Sequence, residues 1–237
     1  MTHRAWLWLS ATAILTVLVA YQVVATSAGE RDREFAARAD VPTVQPGVDV
    51  LGGITVVPWR ARHYDYHRAA FGEAWTDDTD APGGHNGCDT RDDILNRDLV
   101  DKTFVWTKRC PNAVETGTLH DPYTNASINF HRGAKVGEAV QIDHIVPLAL
   151  AWDMGANDWP LTQRIRFAND PANLLAVQGQ ANQDKGDSQP ALWMPPNAAF
   201  HCQYAVQFIA VSRGYGLPID LVSSNVLRQA AGTCPSG

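Results

Sequence analysis

The octapeptide Gln-Ile-Asp-His-Ile-Val-Pro-Leu (141–148) sets a carboxylate beside an imidazole, between apolar residues and just before a proline. A carboxylate oxygen is a hard ligand for a divalent ion, and a neutral imidazole accepts a proton near neutral pH. Asp143 and His144 therefore pair a metal-binding group with a general base. Two amides follow in order: Asn173 in Asn-Asp-Pro-Ala-Asn-Leu-Leu (169–175) and Asn182 in Asn-Gln-Asp-Lys-Gly-Asp (182–187). Phosphodiester hydrolysis needs an activated water in line with the leaving oxygen, and positive charge against the anion that develops. His144 serves the first need. Asp143 and Asn182, as oxygen ligands, serve the second through Mg²⁺ or Mn²⁺. Lys185, one helical turn beyond Asn182, is expected to face the same phosphate. Asn173 is expected to hold the loop that aims His144.

These side chains need particular elements beneath them. Neighbours on a regular strand point to opposite faces, so Asp143 and His144 share a site only if the strand twists or ends there. Pro147 supports an ending, because it cannot continue an interior ladder. The pattern predicts a strand over Glu138–Val146, preceded by strands over Thr103–Lys108, Thr116–Leu119 and Ser127–His131. Asp89 or Thr90 caps a predicted helix running to about Asp101, and further helices are expected over Leu148–Met154, Leu161–Ala168, Ala198–Arg213 and Asp220–Ala231. The sum is an α+β domain with antiparallel strands and C-terminal helices.

The 237 residues, 45% hydrophobic, suffice for one packed domain with an N-terminal appendage. Formal charge is −6, and removing residues 1–28 takes away only Arg4, leaving 18 basic against 25 acidic side chains. Such a chain is no general nucleic-acid coating; a nuclease of this charge must concentrate its cations locally and lean on a metal ion. Residues 1–28 run from His3 and Arg4 through a long apolar stretch to Ala-Thr-Ser-Ala, which fits a cleaved export signal or, equally, an uncleaved membrane anchor. Both place the remainder outside the cytoplasm. Residues 29–58 read as a linker, and the domain is expected over 59–237. Four cysteines in an exported chain argue for two disulfides in one of three connectivities; Cys88 with Cys110 and Cys202 with Cys234 is favoured, because each pair brackets one local unit.

Taken singly, His144 reads as an ordinary histidine and the two asparagines as turn or cap residues; their order gives them weight. Arg91 is balanced between phosphate binding and a salt bridge. Trp106, Trp152, Trp159 and Trp193 are assigned to core packing, and Asp77, Asp78 and Asp80 to a solvated loop.

The three segments 142–148, 169–175 and 182–187 resemble the HNH endonucleases, and specifically the exported bacterial proteins that carry the GmrSD-type C-terminal HNH domain. The likeness extends through Tyr66-His-Arg-Ala-Ala-Phe-Gly, Cys88-Asp-Thr-Arg, Asp121-Pro-Tyr-Thr and Trp193-Met-Pro-Pro. It implies a ββα-metal motif, with His144 as general base, Asp143 at a metal position, Asn173 as central asparagine and Asn182 at the last position of the triad, where histidine is usual. Asn125 stands where the family usually has glycine, and asparagine tolerates the left-handed backbone such a turn needs. The reading is a secreted, metal-dependent endonuclease acting on DNA through Mg²⁺ or Mn²⁺, with Arg91 and Lys185 toward the nucleic acid. The alternatives are a nuclease acting mainly on RNA, or a catalytically silent surface module on the same scaffold. The membrane is a partner only if the N-terminal segment stays uncleaved, and no protein partner is inferable.

Overall fold

The computed structural model describes residues 42–133 and 138–236. The signal or anchor of residues 1–28 and linker residues 29–41 lie outside the described residues. Residues 42–58, read as the rest of the linker, pack against the C-terminal part of the chain instead. Leu51 is buried, the carbonyl of Val50 accepts from Arg213 at 2.7 Å, and β1 (Val56–Val57) pairs in parallel with β7 (Ile219–Asp220).

Three strands form an antiparallel sheet: β2 (Leu99–Thr107), β3 (Cys110–His120) and β4 (Ser127–His131). A helix, α1 (Thr90–Asp98), feeds directly into β2; Asp89 caps it by accepting from Asp92 N at 2.9 Å. The helix therefore stops three residues short of the predicted Asp101. Trp106, expected in the core, is 72% exposed on the outer half of the β2–β3 hairpin.

The unit that positions the chemistry is a second antiparallel pair, β5 (Val140–His144) with β6 (Leu174–Gln178), followed at once by α4 (Gly179–Lys185). The HNH-type ββα order is thus present. Between the two strands lie α2 (Leu148–Asp153) and α3 (Leu161–Asn169), close to their predicted ranges. β6 was not anticipated from the sequence. Register pairs Ile142 with Ala176, Asp143 with Leu175 and His144 with Leu174. Cross-strand partners share a face, so Val140, Ile142, Leu174 and Ala176 join an apolar cluster with Ile94, Leu95, Leu99 and Phe130. Val177 faces the larger cluster, with Tyr123, Ile145, Phe167, Tyr204 and Phe208. The pair is buried on both sides.

Gly179 makes the tight passage from β6 into α4. A Cβ there would lie 1.7 Å from the carbonyl oxygen of Glu138, so any side chain would push the two segments apart. Beyond α4, Asp187 meets Arg60 Nη2 at 2.7 Å, and Arg60 Nε also holds Asp153 of α2 at 2.6 Å. Helices α5 (His201–Gly214) and α6 (Leu221–Ala231) complete the domain. Disulfides join Cys88 to Cys110 and Cys202 to Cys234, the favoured pairing.

Candidate active site

His144 is the last residue of β5, and its ring is buried. Its Nε2 lies 2.9 Å from the carbonyl oxygen of Ala168 in α3. A carbonyl only accepts, so Nε2 carries the hydrogen and the neutral ring keeps its lone pair on Nδ1. Burial is the main reason that the ring stays neutral: it pushes the pKa from 6.5 down to about 3, against the Ala168 hydrogen bond and helped by the positive charges of Arg68 and Lys185. The ring forms part of the wall of a cleft of about 270 Å³, shared with Arg68, Phe71, Gly72, Glu73, Trp75, Leu148 and Ala168.

The chain must turn sharply after His144, and Asn173 holds that turn. Its Oδ1 accepts from Val146 N at 2.8 Å and its Nδ2 donates to Val146 O at 3.2 Å, while its own carbonyl accepts from Ile145 N at 2.8 Å. Asn173 is fully buried. It clasps the backbone that leaves the base.

Asp143 points to the opposite face. Its Oδ2 accepts from the phenol of Tyr123 and, at 2.5 Å, from the ammonium of Lys185. Lys185 also donates to the carbonyls of His144 at 2.6 Å and Ile145 at 3.2 Å, and its side chain is 0% exposed. It was expected to face phosphate; it lies inside the protein and binds the strand end that carries the base. Burial presses the ammonium below its ordinary range, and Asp143 pulls in the other direction. Tyr123 is set by the turn Asp121–Asn125: Asp121 Oδ2 accepts from Thr124 N at 2.8 Å, its Oδ1 accepts from Gln178 N at 2.9 Å, and Asn125 takes φ +61°. Asparagine therefore does hold the left-handed position.

Asn182 lies one turn before Lys185 on α4, half-buried, and its Nδ2 donates to Gln141 Oε1 at 2.8 Å. Gln141 and Asp143 share a face of β5, so the 182/185 side of α4 lies along the 141/143 side of the strand. The structure thus brings Asp143, Asn182 and Lys185 to one face and His144 to the other. Arg91 is apart from both, its Nη2 donating to Val140 O at 3.2 Å.

The donor chemistry can be set against a divalent ion. Asp143 Oδ1 and Asn182 Oδ1 are hard oxygens that carry no hydrogen bond among the described residues, a set suited to Mg²⁺ or Mn²⁺. No group of three His, Cys, Asp or Glu gathers among the described residues. Only one carboxylate is offered, and Lys185 offsets its charge. The Asp143 carboxylate is nonetheless buried against Lys185 and Tyr123 on the face opposite His144, so the residues do not fit an open ion site beside the base.

Two residues at the cleft were not singled out from the sequence. Trp75 stacks on His144, with ring centroids 5.5 Å apart and planes at 14°. It does so from φ +59°, an uncommon backbone for a bulky residue, costing about 1–3 kcal/mol. Arg68 is exposed, with its guanidinium 5.9 Å from the Trp75 ring. Its one sequence signal was membership of the segment Tyr66–Gly72.

Comparison with known proteins bears on this arrangement. The family described as GmrSD restriction endonucleases, C-terminal domain, matches residues 89–220, more than half of the chain. The chain belongs to this GmrSD family. An uncharacterized secreted protein of Arthroderma benhamiae is 32% identical over 222 residues, covering 93% of this chain and 98% of its own length. No solved structure matches. For a GmrSD-family domain the ββα unit, the antiparallel strands and the C-terminal helices are in keeping, and a nuclease-like function follows at the level of the family. The two disulfides and the secreted relative agree with an extracellular location, and no helix among the described residues is long and apolar enough to cross a membrane.

Proposed function

We propose that the chain is a secreted, metal-assisted endonuclease that hydrolyses phosphodiester bonds in DNA, with His144 as the general base. The observation that carries the proposal is the geometry of the His144 ring: it is fixed through Nε2–H to Ala168 O, its Nδ1 is unclaimed among the described residues, and it stands in the wall of an open cleft. In this reading a water bound in the cleft gives its proton to Nδ1 as it attacks phosphorus, and the P–O bond to the leaving oxygen breaks. Asn173 keeps the ring aimed by clasping Val146. Lys185 and Tyr123 keep the strand end rigid behind it. A divalent ion would supply charge against the leaving oxygen, but Asp143 and Asn182 face away from His144 and offer it no site beside the scissile phosphate.

One observation favours the silent-module reading: Asp143 is already engaged by Lys185 and Tyr123. Purified protein incubated with supercoiled DNA, and in parallel with RNA, in Mg²⁺ or Mn²⁺ and with or without a chelator separates the readings. The nuclease reading expects nicked and linear DNA that vanishes with chelator. Preferential loss of RNA would shift the substrate, and no cleavage with Mg²⁺, Mn²⁺, Ca²⁺, Zn²⁺ or Ni²⁺ would leave the silent module.

A further inference from the structure

The cleft of His144 holds a cation that the nuclease reading does not use. Arg68 sits on a 3₁₀ turn, Arg68–Phe71, ended by Gly72 at φ +83°. A Cβ on Gly72 would lie 2.6 Å from Ile165 Cγ1, so the turn packs directly on α3. Ala168 of the same helix holds His144. Base and guanidinium are therefore referenced to one rigid element, with the Trp75 ring stacked on the imidazole and within reach of the guanidinium. Arg68 makes no ion pair and no side-chain hydrogen bond among the described residues, although it is an exposed arginine in a chain of net charge −6. A forked donor left open beside a proton acceptor, at the rim of a concave site, suits a phosphate oxyanion. This wall precedes the family match at residues 89–220.

We propose that Arg68 grips the scissile phosphodiester through its non-bridging oxygens, and that Trp75 is a positioning residue that holds the His144 ring square to that phosphate. The proposal rests on the nuclease reading and adds to it the binding group for the substrate anion.

The test uses the full chain with labelled duplex DNA. In cleavage assays, Arg68→Gln should lower kcat/KM about 100-fold, the scale for removing one preorganised donor from a developing anion. In a His144→Ala background, where DNA is bound uncleaved, Arg68→Gln should make the dependence of log affinity on log salt shallower by about 0.9, one phosphate contact. Arg68→Lys, which keeps the charge, should retain the slope while losing part of kcat/KM. Trp75→Ala should lower kcat with KM little changed, and Trp75→Phe should restore most of it.

Wild-type cleavage together with an unchanged kcat/KM and salt slope in Arg68→Gln would overturn the phosphate-binding role and leave the nuclease reading intact. Equal damage to binding by Arg68→Lys and Arg68→Gln would point to structure and overturn it too. A Trp75→Ala protein with wild-type kcat would overturn the positioning role. Wild-type protein that cleaves nothing would end both the nuclease reading and this extension of it.

Discussion

Lys185 and Asp143 meet at 2.5 Å in a pocket closed to solvent, with the Tyr123 phenol on the same carboxylate oxygen. Removing one member of a buried pair leaves the other charge unpaired, at a cost of about 3–5 kcal/mol. Lys185→Met should therefore lower unfolding free energy by that order in urea titrations. Adding Asp143→Asn should recover part of the loss. A single-variant cost under about 1 kcal/mol would mean that the pair behaves like an exposed one.

His144 predicts an acid-sensitive fold. Its folded pKa of about 3 lies below the unfolded 6.5, so between those values the unfolded chain binds a proton that the folded chain does not. Stability is whole above pH 6.5 and falls as pH drops toward 3, by about 1.4 kcal/mol per pH unit from this residue. His144→Gln should flatten the slope of unfolding free energy against pH over that window. Parallel slopes for wild type and variant would show that the ring is hydrated in the folded protein.

Asn173→Ala removes both hydrogen bonds to Val146 and leaves a buried N–H and C=O without partners. Each such group costs about 1–3 kcal/mol. Asn173→Asp keeps the acceptor and should lose less. Both should reduce cleavage beyond what their remaining folded fraction explains, since the clasp aims His144. Cleavage that tracks folded fraction alone would confine Asn173 to stability.

The disulfides close loops of 22 and 32 residues. Loop-closure entropy gives roughly 3–4 kcal/mol for each. Paired serine substitution at Cys88 and Cys110, or at Cys202 and Cys234, should lower thermal midpoints separately and nearly additively. An unchanged midpoint for either pair would show that packing already restrains that loop.

Several of these relationships were legible in the sequence. The strand ending at His144 showed itself through its apolar neighbours and Pro147, and Asn173 through its place after Asp-Pro. β6 did not, because Leu-Leu-Ala-Val-Gln is buried on both faces and loses the alternation that marks a strand. Lys185 was assigned to the correct face of its helix, the one shared with Asn182, yet helical period cannot say whether that face meets solvent or a strand. Here it meets β5. Arg68 and Trp75 lie about 70 residues from His144 and reach it through tertiary packing, Gly72 on Ile165 and Trp75 on the His144 ring, contacts between segments with no local signature. Trp106 was misassigned because a hairpin tip and a core strand share the same β-branched and aromatic composition.

The most direct test of the central claim is single-turnover cleavage of supercoiled DNA by wild type and His144→Ala in Mg²⁺, with folding checked by circular dichroism. The account predicts that the variant stays folded and loses cleavage by about 10²–10⁴-fold, the usual scale for a general base. Cleavage by folded His144→Ala at the wild-type rate would contradict it.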